Sequence, residues 1–328
     1  MKSTKVLRIS VTDRCDLRCI YCMPEAGVAL VRPADLLTYE EIETVARAAM
    51  KVGVRRFRIT GGEPLVRRGI LGLVEKLAQL GPDDLALTTN GIHLGEMANA
   101  LKAAGLRRVT VSLDTLRKER FAKIARRSGF ARIFEGIEAA RLAGLSPIKV
   151  NTVVIRGVND DEVPDFVRFA EREKIEVRFI ELMPTSGLSP ECKELGSWRP
   201  ALFVKGEEIR ERIAEMFGAL EALPGADGVA KVYHLGSGAR VGLITPLSDP
   251  FCRGCERLRL SADGRLRLCL FDKEGIDMRQ ALRQDRAAIG DIATHRHADQ
   301  DEESQRDNAY GPALHAKKAL PIRLRMRK

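Results

Sequence analysis

Short β-rich runs alternate with stretches of helical periodicity over the first half of the chain. VLRISVT (6–12), RRFRIT (55–60), DLALTT (84–89), RVTVSL (108–113), IKVNTVV (148–154) and EVRFIEL (176–182) read as strands. Between them, apolar residues recur at intervals of three and four, which predicts helices. TYEEIETVARAAMKVG (38–53) is the clearest, and its Thr38 followed by Glu41 is a capping-box pattern. ILGLVEKLAQLG (70–81), GEMANALKAAG (95–105), FARIFEGIEAARLAG (130–144) and DEVPDFVRFAEREK (161–174) follow the same rule. Gly53, Gly81, Gly105 and Gly144 stand where helix C-termini favour glycine.

This alternation over residues 6–182 predicts parallel strands joined by crossover helices. The rounds are too few for a closed (β/α)8 barrel. The expected fold is α/β, a partial (β/α)6 TIM-like barrel; an open doubly wound sheet also fits the pattern. Either arrangement places a site at the C-terminal ends of the strands. The texture changes near residue 183, where MPTSGLSPECKELGSWRP reads as a long loop. A helix (206–217), short strands and a hairpin follow, with Asp263-Gly264 as the hairpin turn in CERLRLSADGRLRLCLF. Two domains are therefore expected: a barrel over 1–200 and a small α+β domain over 201–328, irregular from about residue 290.

The chain has 328 residues, 45% hydrophobic and 30% charged, an ordinary composition for a soluble globular protein. No apolar run approaches the roughly 20 residues that cross a bilayer, and MKSTKVLRIS does not read as a secretion signal. Seven cysteines in such a chain argue for a reducing, cytoplasmic setting and for metal or catalytic use. The formal net charge of +10 favours an anionic partner such as a nucleotide, phosphate or nucleic acid. A merely basic, soluble surface is an equal reading, so the placement of the arginines decides.

Directly after the first strand, RCDLRCIYC holds Cys15, Cys19 and Cys22, three thiols without a fourth. Three thiolates can hold three corners of a cubane iron–sulfur cluster and leave one iron open to a small molecule. A zinc loop with its fourth ligand elsewhere stays open on spacing alone. The second set, Cys252, Cys255 and Cys269, is again three thiols, and a C-x2-C knuckle alone reads more readily as zinc. The flanking residues point elsewhere: Arg257, Arg259, Arg265 and Arg267 border the hairpin, and alternation puts the first two on one face. An open iron beside arginines suits a ligand with a ring nitrogen and a phosphate tail, because a guanidinium donates two bonds at once. Cys192 reads as a free surface thiol, and His93, His234, His295, His297 and His315 form no ligand set.

C-x3-C-x2-C with Tyr21 before the last cysteine resembles the radical S-adenosylmethionine superfamily, as does ITGGEP (59–64) after the second strand. The resemblance implies that the first cluster binds the methionine moiety of S-adenosylmethionine and cleaves it to a 5′-deoxyadenosyl radical. Tyr21, Gly62, Ser112 and Met183 would contact that cofactor, the glycines Gly61 and Gly62 letting backbone approach its amino group. LRISVTDRCDLRCIYCMP, RITGGEPLVRR, LTTNG, IKVNTVV, RFIELMP and PFCRGCERLRLSADGRLRLCLF occur in the order found in the GTP 3′,8-cyclases of molybdenum cofactor biosynthesis.

That family resemblance implies two [4Fe–4S] clusters, one on Cys15, Cys19 and Cys22 and the other on Cys252, Cys255 and Cys269. It implies rearrangement of GTP to 3′,8-cyclo-7,8-dihydro-GTP, with Arg8, Arg58, Thr89, Lys149, Arg257 and Arg259 on the substrate. It further implies a homodimer, an electron donor, and delivery of product to the cyclic pyranopterin monophosphate synthase; DNA and membranes are not expected partners. Family chains end in a Gly-Gly that assists catalysis, whereas this one ends PIRLRMRK, which is compatible with a chain that binds both substrates yet turns over poorly. Two other readings stand beside this one. A two-cluster peptide maturase usually carries more C-terminal cysteines. A zinc-knuckle nucleic-acid-binding protein leaves GGEP unexplained and calls for more aromatics than the 5% present.

Overall fold

The computed structural model describes residues 5–184, 200–223, 229–252, 255–272 and 274–284. Cys192, His295, His297, His315, most of the expected loop at 183–200 and the expected irregular tail lie outside the described residues. Six strands alternate with helices as the periodicity predicts: β1 (Lys5–Ser10), β2 (Val54–Thr60), β3 (Asp84–Thr89), β4 (Arg108–Ser112), β5 (Lys149–Val154) and β6 (Glu176–Glu181). The helices are α1 (Tyr39–Lys51), α2 (Ile70–Gln79), α3 (Leu94–Ala103), α4 (Lys118–Ala125), α5 (Phe130–Leu142) and α6 (Val163–Glu173). The capping box forms: Glu41 N–H donates to the Thr38 hydroxyl at 3.2 Å, and Thr38 N–H to the Glu41 carboxylate at 2.8 Å. Gly53, Gly81, Gly105 and Gly144 all take positive φ at helix ends.

Beyond α7 (Gly206–Phe217) come β7 (Glu221–Ala222), β8 (Lys231–His234), β9 (Arg240–Ile244), β10 (Arg257–Leu260), β11 (Arg265–Arg267), β12 (Ile276–Asp277) and α8 (Met278–Gln284). These later strands continue the same sheet on both sides. The order is β12-β11-β10-β1-β2-β3-β4-β5-β6-β9-β8-β7. β10 runs parallel to β1, and β9 parallel to β6. The fold is thus an α/β partial barrel whose two edges are both covered by C-terminal strands. Gly264, with φ of 90°, makes the hairpin turn between β10 and β11.

Alternation along each strand sorts the two faces. Leu7, Ile9, Phe57, Ile59, Leu85, Leu87, Val109, Val111, Val150, Val177, Phe179, Val241, Leu243, Leu258 and Leu260 are buried and belong to the core under the helices. The opposite face carries Arg8, Arg56, Arg58, Thr88, Arg108, Asn151, Arg178, Arg257 and Arg259, which line a cavity instead. Parallel sheets packed on both faces are apolar on both; here the inner face is polar because it encloses a ligand-sized space.

Buried carboxylates fasten the loops at the C-terminal ends of the strands. Glu63 accepts from Leu65 N–H (3.0 Å), the Thr89 hydroxyl (2.8 Å) and Asn90 N–H (2.6 Å). Glu162 accepts from the Thr115 hydroxyl (2.6 Å) and Leu116 N–H (2.7 Å). Glu181 accepts from the N–H groups of Gly206, Leu247 and Ser248 at 2.8, 3.0 and 3.1 Å. Each joins two or more loops that the strand ladder itself does not hold.

Candidate active site

The cysteine loop leaves β1 at the expected end of the barrel. Its backbone is held from two sides. Arg18 and Ile20 N–H donate to the carbonyls of Ala125 and Ile124 at the end of α4 (2.9 and 3.0 Å). Gly62 and Glu63 N–H donate to the carbonyls of Thr12 and Arg14 (2.7 and 2.8 Å). A Cβ on Gly62 would stand 2.1 Å from the Arg14 carbonyl oxygen, and one on Gly61 2.8 Å from that of Thr12. The first physical reason for the double glycine is therefore the approach of the cysteine loop itself.

Asp16, between the first two cysteines, accepts from the Asn90 side chain at 2.6 Å and pairs with His93 at 3.2 Å. Tyr21 donates its hydroxyl to buried Asp114 at 2.7 Å, and Asp114 also accepts from Val153 N–H at 2.9 Å. Burial pushes the Asp114 carboxyl up to about 6, and Tyr21, also buried and beside Asp114, is raised well above the usual phenol range.

The three thiols adjoin one another. Burial pushes Cys15 up to about 12, with Asp16, Glu63 and Cys22 adding to the rise. Cys19 is also raised, by burial and then by Asp114, Cys22 and Cys15. Such thiols stay protonated alone; a bound metal centre deprotonates a coordinating thiol outright. Among the described residues no three His, Cys, Asp or Glu side chains converge tightly enough for a single metal ion. A cubane cluster spans several ångströms, so its thiolates surround a body rather than a point. Cys15, Cys19 and Cys22 lie near enough to perturb one another, and Cys252, Cys255 and Cys269 share one cavity wall, as such a guest requires.

The second set lies on the wall of a cavity of about 320 Å³, with Phe251 and Phe271; Cys15, Cys19 and Cys22 are not on that wall. Arg259, Arg8 and Arg58 are register partners on β10, β1 and β2 and all face this space. Arg257 joins them and stacks over Phe251 at 5.6 Å. None of these four pairs with a described carboxylate within 4.0 Å. Burial is the first cause, and the neighbouring arginines the second, of their lowered values: Arg58 falls to about 9, Arg257 to about 10, and Arg8 well below its ordinary range. Arg259 is lowered by burial alone. Cations crowded into a buried space are relieved by a polyanion.

The structure thus brings Arg8, Arg58, Arg257, Arg259, Met183 and the second cysteine set to one cavity. Thr89 and Lys149 are not on that wall. Thr89 is turned to the helix side, onto Glu63, and Thr88 faces the cavity. Lys149 is buried with Glu176 at 3.0 Å and sits at about 8, lowered by burial and then by Arg178. Ser112 is the register partner of Asn151 at the end of β4. Arg56, Arg108, Arg178 and Asn151 line the cavity without having been singled out in the sequence. Strand alternation could have found them once one inward arginine was fixed.

A partial barrel with a three-thiol loop after its first strand and a glycine turn after its second defines a radical S-adenosylmethionine protein. Residues 9–170 match that superfamily, and residues 175–305 the family described as Molybdenum Cofactor Synthesis C. The chain is 49% identical over 282 residues to the GTP 3′,8-cyclase of Pelotomaculum thermopropionicum, covering 85% of each. It is 48% identical over 281 residues to that of Moorella thermoacetica, covering 84% of each. It shares the fold of Streptococcus suis SuiB bound to S-adenosylmethionine, with TM-score 0.63 and 16% identity over 90% of this chain and 68% of that one. The chain belongs to the GTP 3′,8-cyclase family.

Proposed function

We propose that this protein is a GTP 3′,8-cyclase, a radical S-adenosylmethionine enzyme with two [4Fe–4S] clusters that performs the first step of molybdenum cofactor biosynthesis. The observation that carries this reading is the set of Arg8, Arg58, Arg257 and Arg259, none ion-paired with a described carboxylate, beside Cys252, Cys255 and Cys269 in one cavity of a radical S-adenosylmethionine barrel. When bound, the first cluster and S-adenosylmethionine supply the radical that removes the ribose 3′ hydrogen of GTP before the sugar joins C8 of the guanine. Cys15, Cys19 and Cys22 hold that cluster, and Tyr21, Gly62, Ser112 and Met183 surround the cofactor. Cys252, Cys255 and Cys269 hold the second cluster at the purine end. Arg8, Arg58, Arg257 and Arg259 bind the triphosphate through charge-assisted bonds. Thr89 acts from behind the wall by steadying Glu63, and Lys149, on the same strand face as Asn151, adds its charge to the Glu176–Arg178 cluster. The walls hold the nucleotide in one orientation and exclude water, since a primary-carbon radical abstracts almost any hydrogen within reach.

The finer parts of this reading are a barrel domain over 1–200 and a cluster and substrate domain over 201–328, from the change of texture near residue 183; a cytoplasmic setting, from the cysteine content; and, from resemblance, a homodimer, an external electron donor and hand-off to the cyclic pyranopterin monophosphate synthase. Among the described residues no helix is long and apolar enough to cross a membrane. The deciding assay is anaerobic. Reductant, S-adenosylmethionine and GTP should together give 5′-deoxyadenosine and cyclised nucleotide; 5′-deoxyadenosine formed at the same rate without GTP, with no nucleotide product, would overturn the assignment.

A further inference from the structure

The side-chain amide of Asn151 faces the cavity, and neither of its ends has a hydrogen-bond partner among the described residues. Its Oδ1 is sealed from solvent as well. A shielded amide left unpaired is costly. Most of the other polar groups on this wall are guanidiniums, and Arg178 and Arg108 are already tied to Glu176 and Asp84. Asn151 is a neutral exception whose bonding capacity is unspent.

Its height in the barrel narrows what it meets. The arginine row Arg259–Arg8–Arg58 continues by register through Ala86 to Arg108 on β4. Asn151 pairs with Ser112, four residues further along β4 toward the cysteine loop. It therefore stands beyond the row of Arg259, Arg8, Arg58 and Arg108, at the height of Arg178, toward the end of the barrel that carries the cysteine loop. On β6 its register partner is Arg178, and beyond that comes Gly242, where a Cβ would press to 3.1 Å from the Arg178 side chain. The bare position leaves Arg178 room to lie against that wall.

A phosphate oxygen can use only the amide's N–H groups and leaves its oxygen unpaired, and the guanidiniums serve phosphate better. A hydroxyl both donates and accepts, as does the amide. In a nucleotide held by its phosphates, the group lying toward the radical source is the sugar. We infer that Asn151 binds the ribose hydroxyls of the nucleotide and so fixes which sugar carbon faces the radical. This rests on the reading of the cavity as a GTP site and adds a substrate contact to it.

The test is equilibrium dialysis of GTP and of 2′-deoxy-GTP against cluster-loaded protein, wild type and Asn151→Ala. Wild type should hold GTP about tenfold more tightly than 2′-deoxy-GTP, the worth of one or two neutral hydrogen bonds. In Asn151→Ala that preference should fall to about one, by loss of GTP affinity, with S-adenosylmethionine binding and iron content unchanged. In turnover the variant should form more 5′-deoxyadenosine per cyclised product, because a loosely held sugar intercepts the radical less often. An Asn151→Ala protein that keeps the full wild-type preference for the 2′-hydroxyl would overturn the inference. Should that variant not load its clusters, the wild-type pair decides alone: equal affinity for both nucleotides sinks it. Wild type that binds neither nucleotide overturns the GTP site itself, a distinguishable result.

Discussion

The two cysteine sets occupy opposite electrostatic settings. Around Cys15 and Cys19 three carboxylates, Asp16, Glu63 and Asp114, raise the thiols, while Arg18 donates to the Cys15 carbonyl at 2.6 Å. Beside Cys255 and Cys269 stand Arg257 and Arg259. S-adenosylmethionine carries a sulfonium and an ammonium; GTP carries a triphosphate. On the proposed assignment, the cofactor's sulfonium meets the carboxylate-rich end and the triphosphate the arginine-rich one. The contrast also explains why the net charge of +10 is informative only by location: the arginines that matter are those turned inward, and the cofactor end is acidic.

Ligand removal should break the comparison most sharply. Cys15→Ser and Cys269→Ser should each lower iron from about eight to about four per chain and reduce cyclised product by about 1,000-fold or more, about 4 kcal/mol of barrier. They should differ in kind: Cys15→Ser forms no 5′-deoxyadenosine, whereas Cys269→Ser forms it slowly and uncoupled. Identical behaviour of the two would erase the distinction between the ends.

The acidic end should also appear in the pH dependence of stability. Burial raises Glu63 to about 7, against an ordinary value of 4.5. The folded chain then holds a proton that the unfolded chain has released, so stability falls as pH rises from 4.5 to about 7. Glu63's share is up to about 3 kcal/mol. Thermal unfolding of the apoprotein across that window should show the slope, and Glu63→Gln should flatten it. An unchanged slope in the variant would place the titration elsewhere.

At the basic end, Arg259→Ala should raise the KM for GTP about 10- to 100-fold, the worth of charge-assisted bonds, and leave the KM for S-adenosylmethionine alone. The smallest effect sharpens the contrast from the other side. Tyr21→Phe removes the bond to Asp114, a loss of about 1 kcal/mol, and should weaken S-adenosylmethionine binding a few-fold while GTP binding stays put.

Most of the βα rhythm was legible because amphipathic helices and β-branched runs announce themselves locally. α4 was not, since KERFAKIA is short and half charged. The pairing of β10 with β1 and of β9 with β6 was also hidden, because a parallel partner far along the chain, 251 residues for Val6 and Arg257 and 64 for Glu176 and Arg240, leaves no local trace. Within the site, the thiol loops and the glycine turn carry their chemistry in their spacing. The inward arginines Arg56, Arg108 and Arg178 do not: alternation says which residues share a face, and only the sheet order says that the face encloses a cavity. The neighbours Thr88 and Thr89 make the same point, for a single step along β3 separates the cavity wall from the helix side.

The covering of both barrel edges by late strands has a consequence for biosynthesis. A ribosome delivers β1 and β6 long before β9 and β10. Until those emerge, the nascent sheet presents two raw margins of backbone donors and acceptors, the kind that seek strands from other chains. The cavity wall also lacks Arg257, Arg259 and the second cysteine set until the last quarter of the chain emerges. Docking of β9 and β10 closes those margins and removes the hazard.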